Sequence, residues 1–273
     1  MLTKPFGSTG FDVSVIGQGT WPLPDVAALR RGIDLGMTHI DTAEMYGEGR
    51  SEEVVGEAIA SYARESLFIV TKVLPSNATR AGVVRACERS LHRMRTEYVD
   101  CFLLHWRGEI AIEETMAGLA DCVASGKARS IGVSNLDPWD LREASGALPT
   151  NVAIACNQVL YNLDERTPEA HELPWAHEHA SAFVAYTPLA RTQTDAGEAV
   201  LREIAATHHV TVEAIVLAFL ARDPLAFVIP KASALAHVEA NAAAGEVTLD
   251  GHEIAAIEGA FPVRPRVGAL PTN

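Results

Sequence analysis

The sequence predicts a (β/α)8 TIM barrel, and three observations carry the prediction. Eight short apolar runs punctuate the chain from end to end, helical periodicity fills the segments between them, and 273 residues is close to the length of one such barrel. The runs lack polar–apolar alternation, which marks strands covered on both faces, as in a parallel sheet wrapped by helices.

In chain order, FGSTGF (6–11) reads as a tight turn ahead of the first barrel strand. The strand runs are SVIG (14–17), THID (38–41), SLFIVT (66–71), YVDCFLL (98–104), RSIGV (129–133), VAIAC (152–156), AFVAY (182–186) and LAFVI (225–229). Val26, Leu29, Ile33 and Met37 recur at helical steps, as do Val55, Ile59 and Tyr62. The same spacing links Val83, Cys87, Leu91 and Met94, and then Val212, Ile215, Phe219 and Leu220. HEIAAIEGAF (252–261) reads as the last helix, and Trp175 as a helix-packing residue. The tail that follows, PVRPRVGALPTN, cannot be helical through its prolines and is expected to meander near the barrel mouth. With no linker or shift of composition, residues 1–273 read as one barrel domain.

Composition narrows the function. Twenty-two basic residues against 35 acidic ones give a net charge of −13, which disfavours nucleic acid and anionic membranes as partners. No signal peptide and no apolar run of roughly 18 residues is visible. Cys87, Cys101, Cys122 and Cys156 are scattered without a CxxC pair, so free thiols in a reducing compartment, the cytoplasm, are expected. Neither GQG (17–19) nor GEG (47–49) extends to GxGxxG, and no P-loop is present, which removes support for a doubly wound nucleotide fold.

Polar residues of chemical interest follow successive runs: Asp41 with Tyr46 close behind, Lys72, His105, Ser134 with Asn135, Gln158, Tyr186 and Lys231. They are spaced by roughly one βα unit, so a barrel gathers them at its C-terminal rim, where active sites of this fold lie.

These segments are similar to those of the aldo-keto reductase family. DTAEMYGEGRSEEVVGEAI (41–59) resembles the family signature, FIVTKV (68–73) its lysine strand and VDCFLLHW (99–106) its histidine strand. GVSN (132–135), NQVLYN (157–162), AYTPLA (185–190) and VIPKAS (228–233) resemble its cofactor-binding segments in their usual order. The resemblance covers nearly the whole chain and implies NADPH-dependent reduction of carbonyl compounds.

The residue types suit that chemistry. Reduction of a carbonyl by hydride needs a donor to the oxygen as charge develops there. Tyr46 can donate, but a free phenol has a pKa of about 10, too high for easy transfer at neutral pH. Lys72 beside it is expected to lower that value, Asp41 to hold the lysine, and His105 to polarise the carbonyl. The other nine histidines show no HExxH spacing and read as surface residues, so no metal is expected.

The resemblance further implies that Ser134, Asn135 and Gln158 hold the nicotinamide amide and that Tyr186 stacks on its ring. Gly19, Thr20 and Trp21 would line the site, with the glycine allowing close approach, and Leu189 would lie beside the pyrophosphate. Lys231, Ser233, His237 and Asn241 would hold the adenosine end. Here the chain departs from the family pattern: Ala232 stands where serine is common, His237 where arginine is common and Ala240 where glutamate is frequent. A histidine is only partly charged at neutral pH, so NADPH is expected with looser exclusion of NADH. Trp21, Tyr46 and Trp106 would wall a substrate pocket. Short loops after His105 and at the C-terminus imply an open site for small aldehydes and ketones, as in small bacterial methylglyoxal or general aldehyde reductases. A monomer acting on a small carbonyl compound is the expectation. The reading from another class is a barrel that binds NADPH and turns over slowly as a redox sensor.

Overall fold

The computed structural model describes residues 1–272. A short antiparallel hairpin, β1 (Thr3–Pro5) and β2 (Asp12–Ser14), opens the chain and pairs Lys4 with Val13. Its turn is fastened by the Phe6 amide donating to the Phe11 carbonyl at 2.8 Å.

Eight parallel strands follow: β3 (Gln18–Gly19), β4 (His39–Asp41), β5 (Phe68–Val73), β6 (Val99–Leu104), β7 (Ala128–Ser134), β8 (Ile154–Leu160), β9 (Ala182–Tyr186) and β10 (Ala226–Val228). Each pairs with the next in sequence order. The sheet closes where the Gly17 amide donates to Val228 at 2.8 Å, Val228 to Val15 at 3.0 Å and Gly19 to Pro230 at 3.0 Å. The result is the (β/α)8 barrel that the apolar runs predict.

Around it lie α1 (Val26–Asp34), α2 (Arg50–Ile59), α3 (Arg80–Met94), α4 (Ile112–Ala124), α5 (Pro138–Gly146), α6 (Glu172–His179), α7 (Asp195–His208), α8 (Val212–Leu220), α9 (Leu235–Ala243) and α10 (Gly251–Ala260). Several start where a side chain satisfies an orphan amide. Asp25 accepts from Ala28, Thr79 from Gly82 and Thr211 from Ala214, while Asp250 and Glu253 form a reciprocal capping box. Each such cap contributes about 1 kcal/mol. Among the described residues, no single helix is long and apolar enough to cross a membrane.

The pleat sorts the strand residues into two layers. Phe68 and Val70 of β5, Cys101 and Leu103 of β6, Ala182 and Val184 of β9, and Phe227 of β10 pack together inside the barrel. Their neighbours Ile69, Phe102, Leu104, Ile131 and Val133 pack outward with Val83, Cys87, Leu119 and Cys122 of the helices. All four cysteines are free and buried. The floor is plugged by Phe6, whose ring centroid lies 4.6 Å from that of Phe68 and 5.0 Å from that of Phe227.

Three expectations need correction. The first barrel strand is Gln18–Gly19 rather than SVIG (14–17), because Ser14 ends the hairpin and Ile16 contributes only a bridge to Val228. Met37 and Tyr62 lie beyond the ends of α1 and α2, though Met37 is still buried. His39, read as a surface residue, is fully buried in the barrel floor among Phe6, Phe68 and Phe227. The reason is parity: His39 and Asp41 are two apart on β4 and therefore face the same side. Trp175 packs in α6 as expected, buried and stacked on His179 at 4.1 Å. Beyond α10 the described residues of the tail carry no helix, and Arg266 bonds the buried Glu172 and lies within the field of Asp137, just past β7. Asn273 lies outside the described residues.

Candidate active site

The inward positions of the upper barrel are polar. Asp41 ends β4, Lys72 lies near the end of β5 and His105 follows β6. Tyr46 enters from the loop after β4. The Lys72 ammonium donates to Asp41 Oδ1 at 2.5 Å, to the Thr42 carbonyl at 2.9 Å and to the Tyr46 hydroxyl at 3.3 Å. The rings of Tyr46 and His105 meet edge to face at 5.7 Å. The four residues thus form one cluster in the mouth.

Lys72 is fully buried and Asp41 almost so, and an ion pair there survives only if its remaining valences are satisfied. Gln158 donates to Asp41 Oδ2 at 2.7 Å, and Thr20 donates to the Asp41 carbonyl at 2.9 Å. Burial works against the Lys72 charge, but Asp41 and Tyr46 outweigh it and hold its pKa above the ordinary value. Burial pushes the Asp41 carboxyl up, against the pull of Lys72 and Gln158.

Tyr46 departs from expectation. Burial raises its phenol above the usual value of 10.0, and the opposing pull of Lys72 does not overcome it. The ammonium therefore limits the rise rather than producing an acidic phenol. His105 is held down at about 3, first by burial and then by repulsion from Lys72, so its imidazole is neutral at physiological pH. Its Nδ1 is buried with no partner among the described residues.

Next to this cluster lies a second chain of hydrogen bonds. Ser134 donates to the Gln158 carbonyl at 2.9 Å. Asn135 donates to Ser134 Oγ at 3.1 Å and to the His105 carbonyl at 3.2 Å, and Tyr186 donates to Asn135 Oδ1 at 2.8 Å. The residues expected to hold an amide and stack on a ring are thus adjacent to the four-residue cluster. Lys231, Ser233, His237 and Asn241 sit apart, after β10 and on α9. Lys231 donates to Ser233 at 2.6 Å, His237 is exposed and Asn241 is buried. Leu189 is half-buried against the β8–β10 side. Trp21 and Trp106 are 60% and 37% exposed, and Leu23 and Met45, in the loops that carry Trp21 and Tyr46, are further exposed apolar residues that sequence reasoning passed over.

The fold itself also requires Gly19. A β-carbon there would sit 2.7 Å from the Ile229 carbonyl, so the glycine permits the seam between β3 and β10. The network that aims Tyr46 was also missed. Glu44 accepts from the Leu74 amide at 2.8 Å and from Asn77 at 2.9 Å, pinning the tyrosine loop to the end of β5. Ser51 is buried and donates to the Thr20 and Pro22 carbonyls, both at 3.3 Å. Buried Glu52 accepts from Thr71 at 2.6 Å and from Arg93 at 2.5 Å. The run of polar residues in DTAEMYGEGRSEE, more than a loop needs, was the available signal.

A parallel barrel with this cluster in its mouth defines a class, the barrel oxidoreductases that protonate a carbonyl oxygen. Within it the chain belongs to the Aldo/keto reductase family, which matches residues 16–261. It is 44% identical to the methylglyoxal reductase YeaE of Escherichia coli K12 over 92% of this chain and 93% of that one. It resembles an aldo/keto reductase from Klebsiella pneumoniae solved in complex with NADP and acetate, with 41% identity and a TM-score of 0.92 over 99% of each chain. A second Klebsiella pneumoniae structure, in complex with NADPH, is 40% identical with a TM-score of 0.91 over 100% of each chain.

Proposed function

We propose that the protein reduces small aldehydes and ketones, methylglyoxal among them, to alcohols with NADPH. The observation that carries this reading is the Lys72 ammonium between Asp41 and the Tyr46 hydroxyl, at 2.5 and 3.3 Å. The residues expected to hold the cofactor suit it chemically. Ser134, Asn135 and Gln158 offer amide-complementary donors and acceptors beside the cluster, and the half-buried Tyr186 ring gives a flat neighbour. Lys231 and His237, both exposed cations or potential cations, suit the 2′-phosphate. When bound, the dihydronicotinamide supplies the hydride.

The chain's own residues do the rest. His105, neutral, donates one N–H toward the carbonyl oxygen and fixes its direction. Tyr46, protonated at neutral pH, hands its hydroxyl proton to that oxygen as negative charge grows there. Lys72 stabilises the resulting phenolate, and Asp41 keeps the lysine charged and in place. The open rim of Trp21, Leu23, Met45 and Trp106 contacts a substrate through apolar surface, which favours small and varied carbonyls. Four buried free thiols suit the cytoplasm, and a monomer suffices because every catalytic group comes from one barrel.

NADPH oxidation across methylglyoxal, aromatic aldehydes, aldoses and quinones tests the assignment, with Tyr46→Phe as control. Turnover is expected to fall by roughly 10²–10⁴ in the variant, with NADPH affinity retained. Unchanged turnover refutes the role of Tyr46, and tight NADPH binding with no turnover on any substrate converts the reading to a redox sensor.

A further inference from the structure

Outside the barrel, between α2 and α3, lies a cavity of about 270 Å³ that the catalytic reading does not use. Its walls carry Arg50, Glu53 and Glu57 from α2, and His92, Arg93 and Arg95 from the end of α3. In a chain of net charge −13, three guanidiniums and an imidazole are gathered here around two lining carboxylates.

The carboxylates do not neutralise the cations equally. Arg50 is engaged by Glu53 at 2.5 Å. Arg93 is fixed from behind: its Nε and Nη2 both lie 2.5 Å from buried Glu52, which leaves Nη1 uncommitted. Arg95 caps α3 in the left-handed conformation, with φ 55°, where a helix would ordinarily place glycine or asparagine. Arg95 and His92 are exposed, and their side chains have no partner among the described residues. A pre-set guanidinium with a free edge, flanked by two uncommitted basic groups, is what a tetrahedral oxyanion needs. Glu57, whose carboxylate is likewise unpartnered, can accept from hydroxyl groups at the other side of the cavity. The cavity runs on from these cations to Glu57, which leaves room beside a phosphate for a short polyol attached to it.

We propose that this cavity binds a phosphate monoester of a small polyol, with the phosphate on Arg93, Arg95 and His92 and the hydroxyls toward Glu57. The site is independent of the carbonyl-reductase reading.

The test is calorimetric titration of the protein, saturated with NADP⁺ to cover any cofactor phosphate subsite, using glycerol 3-phosphate as probe. Binding with a Kd of about 1 mM is expected, and glycerol should give no heat. The doubly substituted Arg95→Ser, His92→Ser protein should bind at least about tenfold more weakly, since charge-assisted contacts are lost. Glu57→Gln should lower the affinity for glycerol 3-phosphate relative to inorganic phosphate, because the carboxylate repels both anions but accepts only from the hydroxyls. Equal affinity in the double variant places the anion elsewhere and overturns the site. Absence of binding to the parent does the same, leaving the basic groups only to offset the C-terminal dipole of α3. An unaltered Glu57→Gln protein overturns the polyol assignment.

Discussion

Replacing His39 with leucine should make the protein more resistant to acid, by an amount that the barrel floor sets. The imidazole is fully buried, both ring nitrogens lack partners among the described residues, and burial holds its pKa at about 3 against 6.5 in an unfolded chain. A folded pKa below the unfolded one means that the unfolded state takes up the proton first. The cost to folding therefore begins as pH drops through 6.5, grows by about 1.4 kcal/mol per pH unit, and saturates below about 3. At pH 7 this cost is only a few tenths of a kcal/mol, and at pH 5 it reaches about 2 kcal/mol. Leucine carries no such cost, and it also removes two unpaired polar atoms from an aromatic pocket. Urea unfolding of parent and variant at about pH 7, 6 and 5, followed by tryptophan fluorescence and circular dichroism, measures the difference. His105 and every other titrating group are common to both proteins and cancel. The stability gap should widen by about 2 kcal/mol between pH 7 and 5. A gap that stays constant refutes the argument, because it would mean that His39 is protonated equally in both states.

Three further outcomes concern the cluster in the barrel mouth and the residues expected to hold the cofactor's phosphate. Because burial lifts the Tyr46 phenol and holds His105 at about 3, carbonyl reduction should show no ionisation of either group between about pH 5 and 9. The proton donor is lost only as pH rises through the elevated phenol value, and a break near neutrality in kcat measured with saturating cofactor would contradict this. Lys72→Met leaves the Asp41 carboxylate buried without its cation, so unfolding free energy should fall by about 3–5 kcal/mol, as read by urea denaturation. Adding Asp41→Asn should recover part of that loss. His237→Arg should raise the preference for NADPH over NADH by about tenfold through a permanent, bidentate contact to the 2′-phosphate, measured as the ratio of the two dissociation constants.

The barrel was legible because apolar runs without alternation fit little besides strands covered on both faces, and strand-end spacing located Asp41, Lys72, His105, Ser134 and Gln158 on one rim. What stayed hidden depends on partners distant in sequence. Nothing local to SVIG reveals that Ser14 belongs to a hairpin while Gln18 and Gly19 form the barrel strand. His39 looks like any polar residue until its phase relative to Asp41 is counted. Lys72 pulls the Tyr46 value down, as motif order suggests, but the depth of burial that outweighs this pull cannot be read from sequence. Ser51 and Glu52 were invisible as positioning groups because their partners, Thr20, Thr71 and Arg93, lie about one βα unit away in either direction.

The hairpin and Phe6 close the barrel from below, beneath a packed layer that includes Phe68, Val70, Leu103 and Val184. Reactants therefore meet the Lys72 cluster from one side only, and the opposite end of the molecule is left to carry stability alone.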